Sequence, residues 1–429
     1  MKSAKHSIKR RLPERGALAP LRVAVKVQRS RYGRSALSEI GVHHLLRRDE
    51  GTCPDLIGFH EAFFHNGHVC SVYGLHGRSL DTFLDRAPLP LAEVKVIAGQ
   101  LLGGLERMHR HGFAHTDVKP MNILYRRTPR PRALLSDMGN ADNVMRRGSN
   151  RCTREYAPPE VLLGNPLDPL MDIWSLGCTL FELTTGRDLF DPRAAAGRKY
   201  ADFSRRTPDG AFDPSVHADS AEEEAEQCVP GSILGGKYRL EARLGQGNFA
   251  TVWRAAVLHD KPLDGSDDAL LTHCRAEDAQ RQAAPPEIAN GVIPAEDTAR
   301  AWRKARGADD LHDLVFNYEH LVLMQHLLGP PPGDWAAEGI YATAYCDPSG
   351  RLIHDAGAGP VTDLEKLLRS RKIPAADARG LADFLRPMLA WRPSDRPSAF
   401  TCLQSPWLKE GRTRRPASGP TSRPKLAGG

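Results

Sequence analysis

One stretch constrains this chain more than any other. His115-Thr116-Asp117-Val118-Lys119-Pro120-Met121-Asn122 runs into apolar Ile123 and Leu124, and Leu134-Leu135-Ser136-Asp137-Met138-Gly139 follows shortly after. Pro120 and its polar neighbours favour a tight turn, and each apolar run reads as a short strand. The turn brings together a carboxylate (Asp117), a cation (Lys119) and an amide (Asn122). A carboxylate so held can orient and deprotonate a hydroxyl, the cation can face a phosphoryl group, and the amide oxygen can face a metal ion. Asp137 ends an apolar strand and is followed by a bulky apolar residue and Gly. A carboxylate there can chelate Mg²⁺ bridging nucleotide phosphates. Alone, Asp-x-Gly is ordinary turn chemistry. Its position after the first loop favours the metal-binding reading.

Other segments extend the pattern. Residues 21–27 (LRVAVKV) alternate apolar and cationic residues, as a strand does, and carry Lys26. Residues 35–48 place Leu37, Ile40, Val42 and Leu45 near helical spacing, with Ser35 as a cap and Glu39 as the natural partner of Lys26. His68–Tyr73 reads as a buried strand, and Leu91–Arg110 as a long amphipathic helix. Residues 171–186 are apolar nearly all round, so that helix belongs in a domain centre. Tyr156-Ala157-Pro158-Pro159-Glu160 presents an acid that, once buried, needs a cation, and Arg396 in Trp391-Arg392-Pro393-Ser394-Asp395-Arg396-Pro397 can supply it. Helical periodicity recurs at 317–330, and 376–409 reads as a pair of helices. Between Lys237 and Ala256, Leu244-Gly245-Gln246-Gly247-Asn248-Phe249-Ala250-Thr251-Val252-Trp253 reads as two strands around a Gly-rich turn, whose amides can cradle phosphate.

Composition divides the chain as follows: a basic tail at 1–20, a patterned body at 21–192, a linker at 193–236, the Gly-rich hairpin at 237–256, a second linker at 257–308, helices at 309–409, and a basic tail at 410–429. The net charge of +7 sits largely in the two tails, and no nucleic-acid-binding motif accompanies it, so no direct nucleic-acid contact is expected. Eight Cys lack any Cys-x-x-Cys pair, which speaks for reduced thiols in the cytoplasm or nucleus. The apolar run Ile173–Leu183 contains Glu182 and is too short for a bilayer, so no membrane association is expected. The first residues are basic without an apolar run, unlike a secretory signal.

Together these stretches resemble a eukaryotic protein kinase, and more narrowly the SR-protein kinases of the CMGC group. HTDVKP resembles that family's catalytic loop and DMGNA its metal loop. SALSEIGVHHLL resembles its αC helix, HVCSVYGLHGRSL its hinge, and DIWSLGCTLFELTTGRDLFDP its αF region. NYEHLVLMQHLLGPPP and ADFLRPMLAWRPSDRPSAFTCLQSPWL resemble its later helices. The resemblance covers roughly residues 21–192 and 312–408. It implies an α+β, two-lobed protein-kinase fold, with a β-rich N-lobe and a helical C-lobe, using ATP and Mg²⁺ to phosphorylate Ser or Thr. By resemblance Asp117, Lys119 and Asn122 are catalytic, and Asn122 and Asp137 hold the metal. Lys26 and Glu39 serve the ATP phosphates, Tyr73 and Leu75 form the hinge, and Gly245, Gly247, Phe249 and Val252 belong to the Gly-rich loop. Protein substrates, including Arg/Ser-rich ones, and a monomeric state are implied as well.

This chain departs from the family in three places. Ala157 stands where that group usually has Arg, and Glu319 is the one acid at 317–326. Thr116, as in that family's catalytic loop, stands where most kinases have the Arg that binds an activating phosphate, which predicts activity without phosphorylation of the loop containing Ser149 and Thr153. The Gly-rich hairpin, expected before Lys26, lies far after it. It reads as a displaced part of this domain, as sequence assembled out of order, or as a fragment of a second kinase. Against the last, no Val-Ala-x-Lys closely follows it. A rival class also stays open at this point: a pseudokinase or scaffold that binds nucleotide or partners without turnover.

Overall fold

Val23, Val25 and Val27 alternate with Ala24 and Lys26, and the alternation gives a strand one apolar face and one mixed face. The computed structural model describes residues 21–29, 32–85, 87–143, 152–191, 228–247, 250–259, 261, 308–353 and 361–409. In chain order the main elements are strand β1 (Arg22–Gln28), helix α1 (Gly33–Glu50), strands β2 (Phe59–His65) and β3 (His68–Gly74), helix α2 (Leu91–Arg110) and strands β4 (Ile123–Arg126) and β5 (Arg132–Leu135). Helix α3 (Met171–Thr185) follows, then strands β6 (Ile233–Leu234), β7 (Tyr238–Gln246) and β8 (Ala250–Val257), and helices α4 (Ala308–Leu328), α5 (Leu364–Ser370) and α6 (Ala375–Met388).

The first lobe is a six-stranded sheet in the order β2-β3-β1-β8-β7-β6, antiparallel throughout. Its outer face has a core of its own, where Val23, Val25 and Val27 meet Phe63, Val72, Leu240, Trp253 and Ala255. On the other face Leu37 and Ile40 of α1 pack on Phe59, Val69, Tyr73 and Leu134. The late hairpin β7–β8 fills the free edge of β1, in a register running from Arg22 opposite Ala256 to Gln28 opposite Ala250. Closing so long a loop costs only a few kcal/mol more than closing a short one. Each large buried apolar side chain contributes about 1.5–3 kcal/mol against that cost, and Leu240 and Trp253 are both buried. Covering β1 also removes an edge that would otherwise recruit other chains.

The second lobe is built on α3. Ile173, Trp174, Leu176, Leu180 and Leu183 are fully buried, as the apolar circumference of the helix requires. Gly186, at φ 69°, caps its C-terminus by donating its N–H to the Glu182 carbonyl. Helices α2 and α6 pack against α3, and the short helices Ala399–Leu403 and Pro406–Lys409 pack on α2. The architecture is the two-lobed α+β protein-kinase fold.

The structure differs from the sequence reading at several points. Residues 228–236, read as linker, are ordered in part: Leu234 is buried, and β6 pairs with β7 through Leu234 opposite Tyr238. A two-residue strand is too short to show alternation, and the polar composition around it hides it. Ser35 does not cap α1, which starts at Gly33, and its hydroxyl donates instead to the Gly139 carbonyl at 2.9 Å. The pair of helices expected at 376–409 is α6 followed by two short helices, broken by the turn at Pro393–Pro397. Helix α4 begins earlier than the periodicity at 317 indicates. Residues 1–20 and 410–429, and most of both linkers, lie outside the described residues. Among the described residues no helix is long and apolar enough to cross a membrane.

Candidate active site

Lys26 lies on the mixed face of β1, turned toward α1. Its Nζ donates to Glu39 Oε2 and to Asp137 Oδ1, each at 2.8 Å. Burial alone would favour the neutral amine, but the Glu39 and Asp137 carboxylates outweigh it and raise the Lys26 pKa, so the ammonium persists. Burial likewise opposes the charge on Asp137, and Lys26 reverses the balance and lowers that pKa. Asp137 sits just after β5 in the left-handed region, φ 63° and ψ 69°, which Asp tolerates better than most residues. Its side chain is 47% exposed and faces the cleft. A Cβ on Gly139 would come within 3.3 Å of Asp137 Oδ1 and 3.4 Å of Ser35 Oγ, so Gly139 lets α1 approach this loop.

Asp172 anchors the second group. It is fully buried on α3, and its two carboxylate oxygens accept the backbone N–H of His115 (2.7 Å) and of Thr116 (2.8 Å). His109 Nε2 also lies 2.9 Å from Asp172. Thr116 takes φ 69° there, and its hydroxyl donates to the Asn140 carbonyl. Beyond this anchor Asp117 projects into a ring of donors. Its Oδ1 accepts the Thr153 N–H at 3.1 Å and the Thr153 hydroxyl at 2.6 Å. Its Oδ2 accepts the Asn122 amide at 2.9 Å and lies 2.8 Å from Lys119 Nζ. Lys119 also donates to the Thr153 hydroxyl at 2.5 Å. The two groups are tied together by Ser136, whose N–H and hydroxyl both donate to the Asn122 carbonyl at 2.9 Å.

Asp117, Lys119 and Asn122 therefore converge, as do Lys26, Glu39 and Asp137. Val252 stands opposite Lys26 in the β1–β8 register, and Gly245 stands opposite Val252 in turn. That places Gly245 about 10 Å from Lys26, two strand spacings away. The Gly247 N–H donates to the Ala250 carbonyl and narrows the turn. Phe249 lies outside the described residues. Leu75 is partly exposed just past β3, and Tyr73 is buried with its hydroxyl on Glu39. Asp172 and Thr153 were missed as site residues. The first had a signal, a carboxylate at the head of an otherwise apolar helix. The second lies in a segment with no periodicity.

Glu160 and Arg396 form the expected pair. Arg396 Nη1 and Nη2 donate to the two Glu160 oxygens at 2.6 and 2.7 Å, with both side chains fully buried. Remaining guanidinium protons reach the carbonyls of Ala390, Trp391 and Leu170, so the pair is satisfied.

Residues 16–226 match the protein kinase domain family model. The chain is similar to serine/threonine-protein kinase AFC3 of Arabidopsis thaliana, 35% identical over 200 residues, covering 39% of this chain and 49% of that protein. It is similar also to homeodomain-interacting protein kinase 2 of Mus musculus, 29% identical over 177 residues, covering 39% of this chain and 15% of the relative. A third relative is dual specificity tyrosine-phosphorylation-regulated kinase 3 of Macaca fascicularis, 31% identical over 175 residues, covering 39% and 31%. The aligned part is about half the plant kinase and less of the others. The chain carries a protein kinase domain whose relatives are CMGC-type kinases. The matched span ends before β7–β8 and before α4–α6. Those parts are joined to it by the β1–β8 pairing and by the Glu160–Arg396 pair.

Proposed function

We propose that the chain is an ATP- and Mg²⁺-dependent protein serine/threonine kinase, SR-protein-kinase-like in its substrates. The observation that carries this reading is the joining of the Lys26–Glu39–Asp137 network to the Asp117–Lys119–Asn122 network through Ser136.

The donor set fits a hard, oxygen-seeking cation. Among the described residues no group of three or more His, Cys, Asp or Glu is placed to hold a metal ion by itself. The Asn122 Nδ2 is committed to Asp117, which leaves the side-chain Oδ1 for a metal ion, and Asp137 offers an exposed carboxylate. Two such ligands suit Mg²⁺ that completes its shell with phosphate and water. Bound Mg²⁺–ATP would supply the phosphoryl group and its charge neutralisation. Lys26, held charged, would grip nucleotide phosphate. Asp117 would accept the proton of the attacking hydroxyl, with Thr153 yielding its place to the substrate. Lys119, beside Asp117, would offset the negative charge developing on the transferred group.

A basic substrate suits the neighbourhood of Tyr156. Its hydroxyl donates to Glu182 at 2.6 Å. Burial, opposed by that hydrogen bond and reinforced by Asp188, Asp81 and Glu155, pushes the Glu182 carboxyl up to about 7. A substrate guanidinium would relieve that crowding of carboxylates. The described cysteines are free thiols, in keeping with a cytoplasmic or nuclear protein. The test is transfer of γ-labelled phosphate from ATP to Arg/Ser-rich peptides by the full chain and by Asp117→Asn. Label incorporated by the first and lost in the second is expected. Equal incorporation would contradict the assignment.

A further inference from the structure

We propose that Tyr73 is a positioning residue, its hydroxyl locking Glu39, and through it helix α1, into the arrangement that aims Lys26 at the nucleotide. The inference rests on the kinase reading for its catalytic consequence and on geometry alone for the lock.

Tyr73 stands opposite Ala24 in the β1–β3 register, two residues along β1 from Lys26, so the two side chains share one face of the sheet. Its hydroxyl donates to Glu39 Oε1 at 2.9 Å, while Lys26 takes Oε2 at 2.8 Å. Among the described residues these are the two donors given to Glu39, one for each oxygen. The carboxylate is 2% exposed, so water does not substitute freely for either. The Tyr73 ring is held in turn. It packs edge-on against Phe59 at 5.7 Å and tilted against His43 at 5.5 Å, and His43 stacks on Phe59 at 5.2 Å. His43 belongs to α1, as Glu39 does, so the hydroxyl and the ring hold the same helix to β3 and β2. Burial and then Glu39 raise the phenol pKa well above its usual value, so Tyr73 stays a donor at any physiological pH.

Without the hydroxyl, Oε1 becomes a buried, unpaired carboxylate oxygen. Glu39 then gains by turning toward solvent, and Lys26 is left to Asp137, the carboxylate assigned to the metal. Lys26 would be drawn off the nucleotide and the metal ligand would be blunted by the same motion. Gripping phosphate more tightly as the reaction proceeds is an effect on turnover, so the loss falls on kcat more than on KM for ATP.

The variant Tyr73→Phe keeps the ring and removes one atom. In the full chain, amide hydrogen exchange in the Ala36–His43 part of α1 is expected to quicken severalfold, while exchange in α2 stays unchanged. With an Arg/Ser-rich peptide, kcat is expected to fall about tenfold, the scale of a lost hydrogen bond to a charged group, with less than about a threefold change in KM for ATP. In a Glu39→Ala background the same replacement adds less than about twofold, because the partner is already gone. Unchanged exchange in α1 would overturn the lock. A kcat loss as large with Glu39→Ala as without it would overturn its route through Glu39. If the wild-type chain transfers no phosphate, the kinase reading fails by itself, and exchange in α1 still decides the role of Tyr73.

Discussion

At Asp117, four donors converge on one carboxylate: the Thr153 amide and hydroxyl, the Asn122 amide and the Lys119 ammonium. Such a carboxylate is an acceptor in a fixed orientation, and its contribution is to receive a proton rather than to hold nucleotide. Asp117→Asn should lower turnover about 10²–10⁴-fold, the usual range for a lost general base. Affinity for Mg²⁺–ATP should stay within a few-fold, because Asp117 acts on the hydroxyl and not on the nucleotide. Equilibrium binding and turnover on the same preparation check both halves, and a parallel loss of the two would contradict the division of roles. These residues were legible because their chemistry is local: Asp117, Lys119 and Asn122 share one turn. Thr153 and Asp172 meet that turn from far along the chain; an acid at the head of an apolar helix marks Asp172, but nothing in the neighbourhood of Thr153 announces its contact.

Among the elements, those with a clear period were readable in advance. Helix α2 spans Leu91–Arg110 as its apolar spacing indicates, and α3 is buried all round as its composition requires. Less readable was how elements distant in sequence join. The hairpin could be recognised, but alternation in β1 says only that a free edge exists, not which strand fills it. The segment after Thr153 is tied to the last helices by Glu160 and Arg396, a pair that the need of a buried acid for a cation did indicate although no local spacing links the two. Replacing Arg396 by Met should cost about 3–5 kcal/mol, because Glu160 is left charged and buried. Urea unfolding checks this, and Glu160→Gln/Arg396→Met should recover part of the loss. A single-variant cost below about 1 kcal/mol would mean that the pair is not load-carrying in solution.

At the scale of the whole molecule, burial keeps His43 and His320 from taking a proton in place. Burial, aided for His43 by Lys26, brings both His43 and His320 down to about 3 from an ordinary 6.5. Among the described residues neither ring nitrogen of His320 has a hydrogen-bond partner. Both rings are neutral in the fold and become charged in the unfolded chain below 6.5, so the unfolded state binds more protons there. Stability should fall as pH drops from about 6.5 toward 3, by about 1 kcal/mol per histidine over the first unit. Glu182, raised to about 7 from 4.5, acts oppositely, costing stability as pH rises from 4.5 through 7. Thermal melting at pH 7.5 and 5.5 should show a smaller drop for His320→Leu than for wild type, and equal drops would contradict the assignment. The account as a whole depends on the late hairpin serving the same site as Lys26. Among the described residues a Cβ on Gly245 would meet nothing within 4 Å, and one on Gly247 would meet the Ala250 carbonyl at 3.9 Å. The surrounding protein therefore leaves room for side chains at both positions, and glycine there keeps open the space over the cleft in which phosphates would lie. The most direct measurement is the KM for ATP of the full chain carrying Gly245→Val and Gly247→Val together. The account predicts an unchanged melting temperature with KM for ATP raised about tenfold or more, the scale of one or two lost charge-assisted contacts. An unchanged KM in a folded, active variant would contradict it.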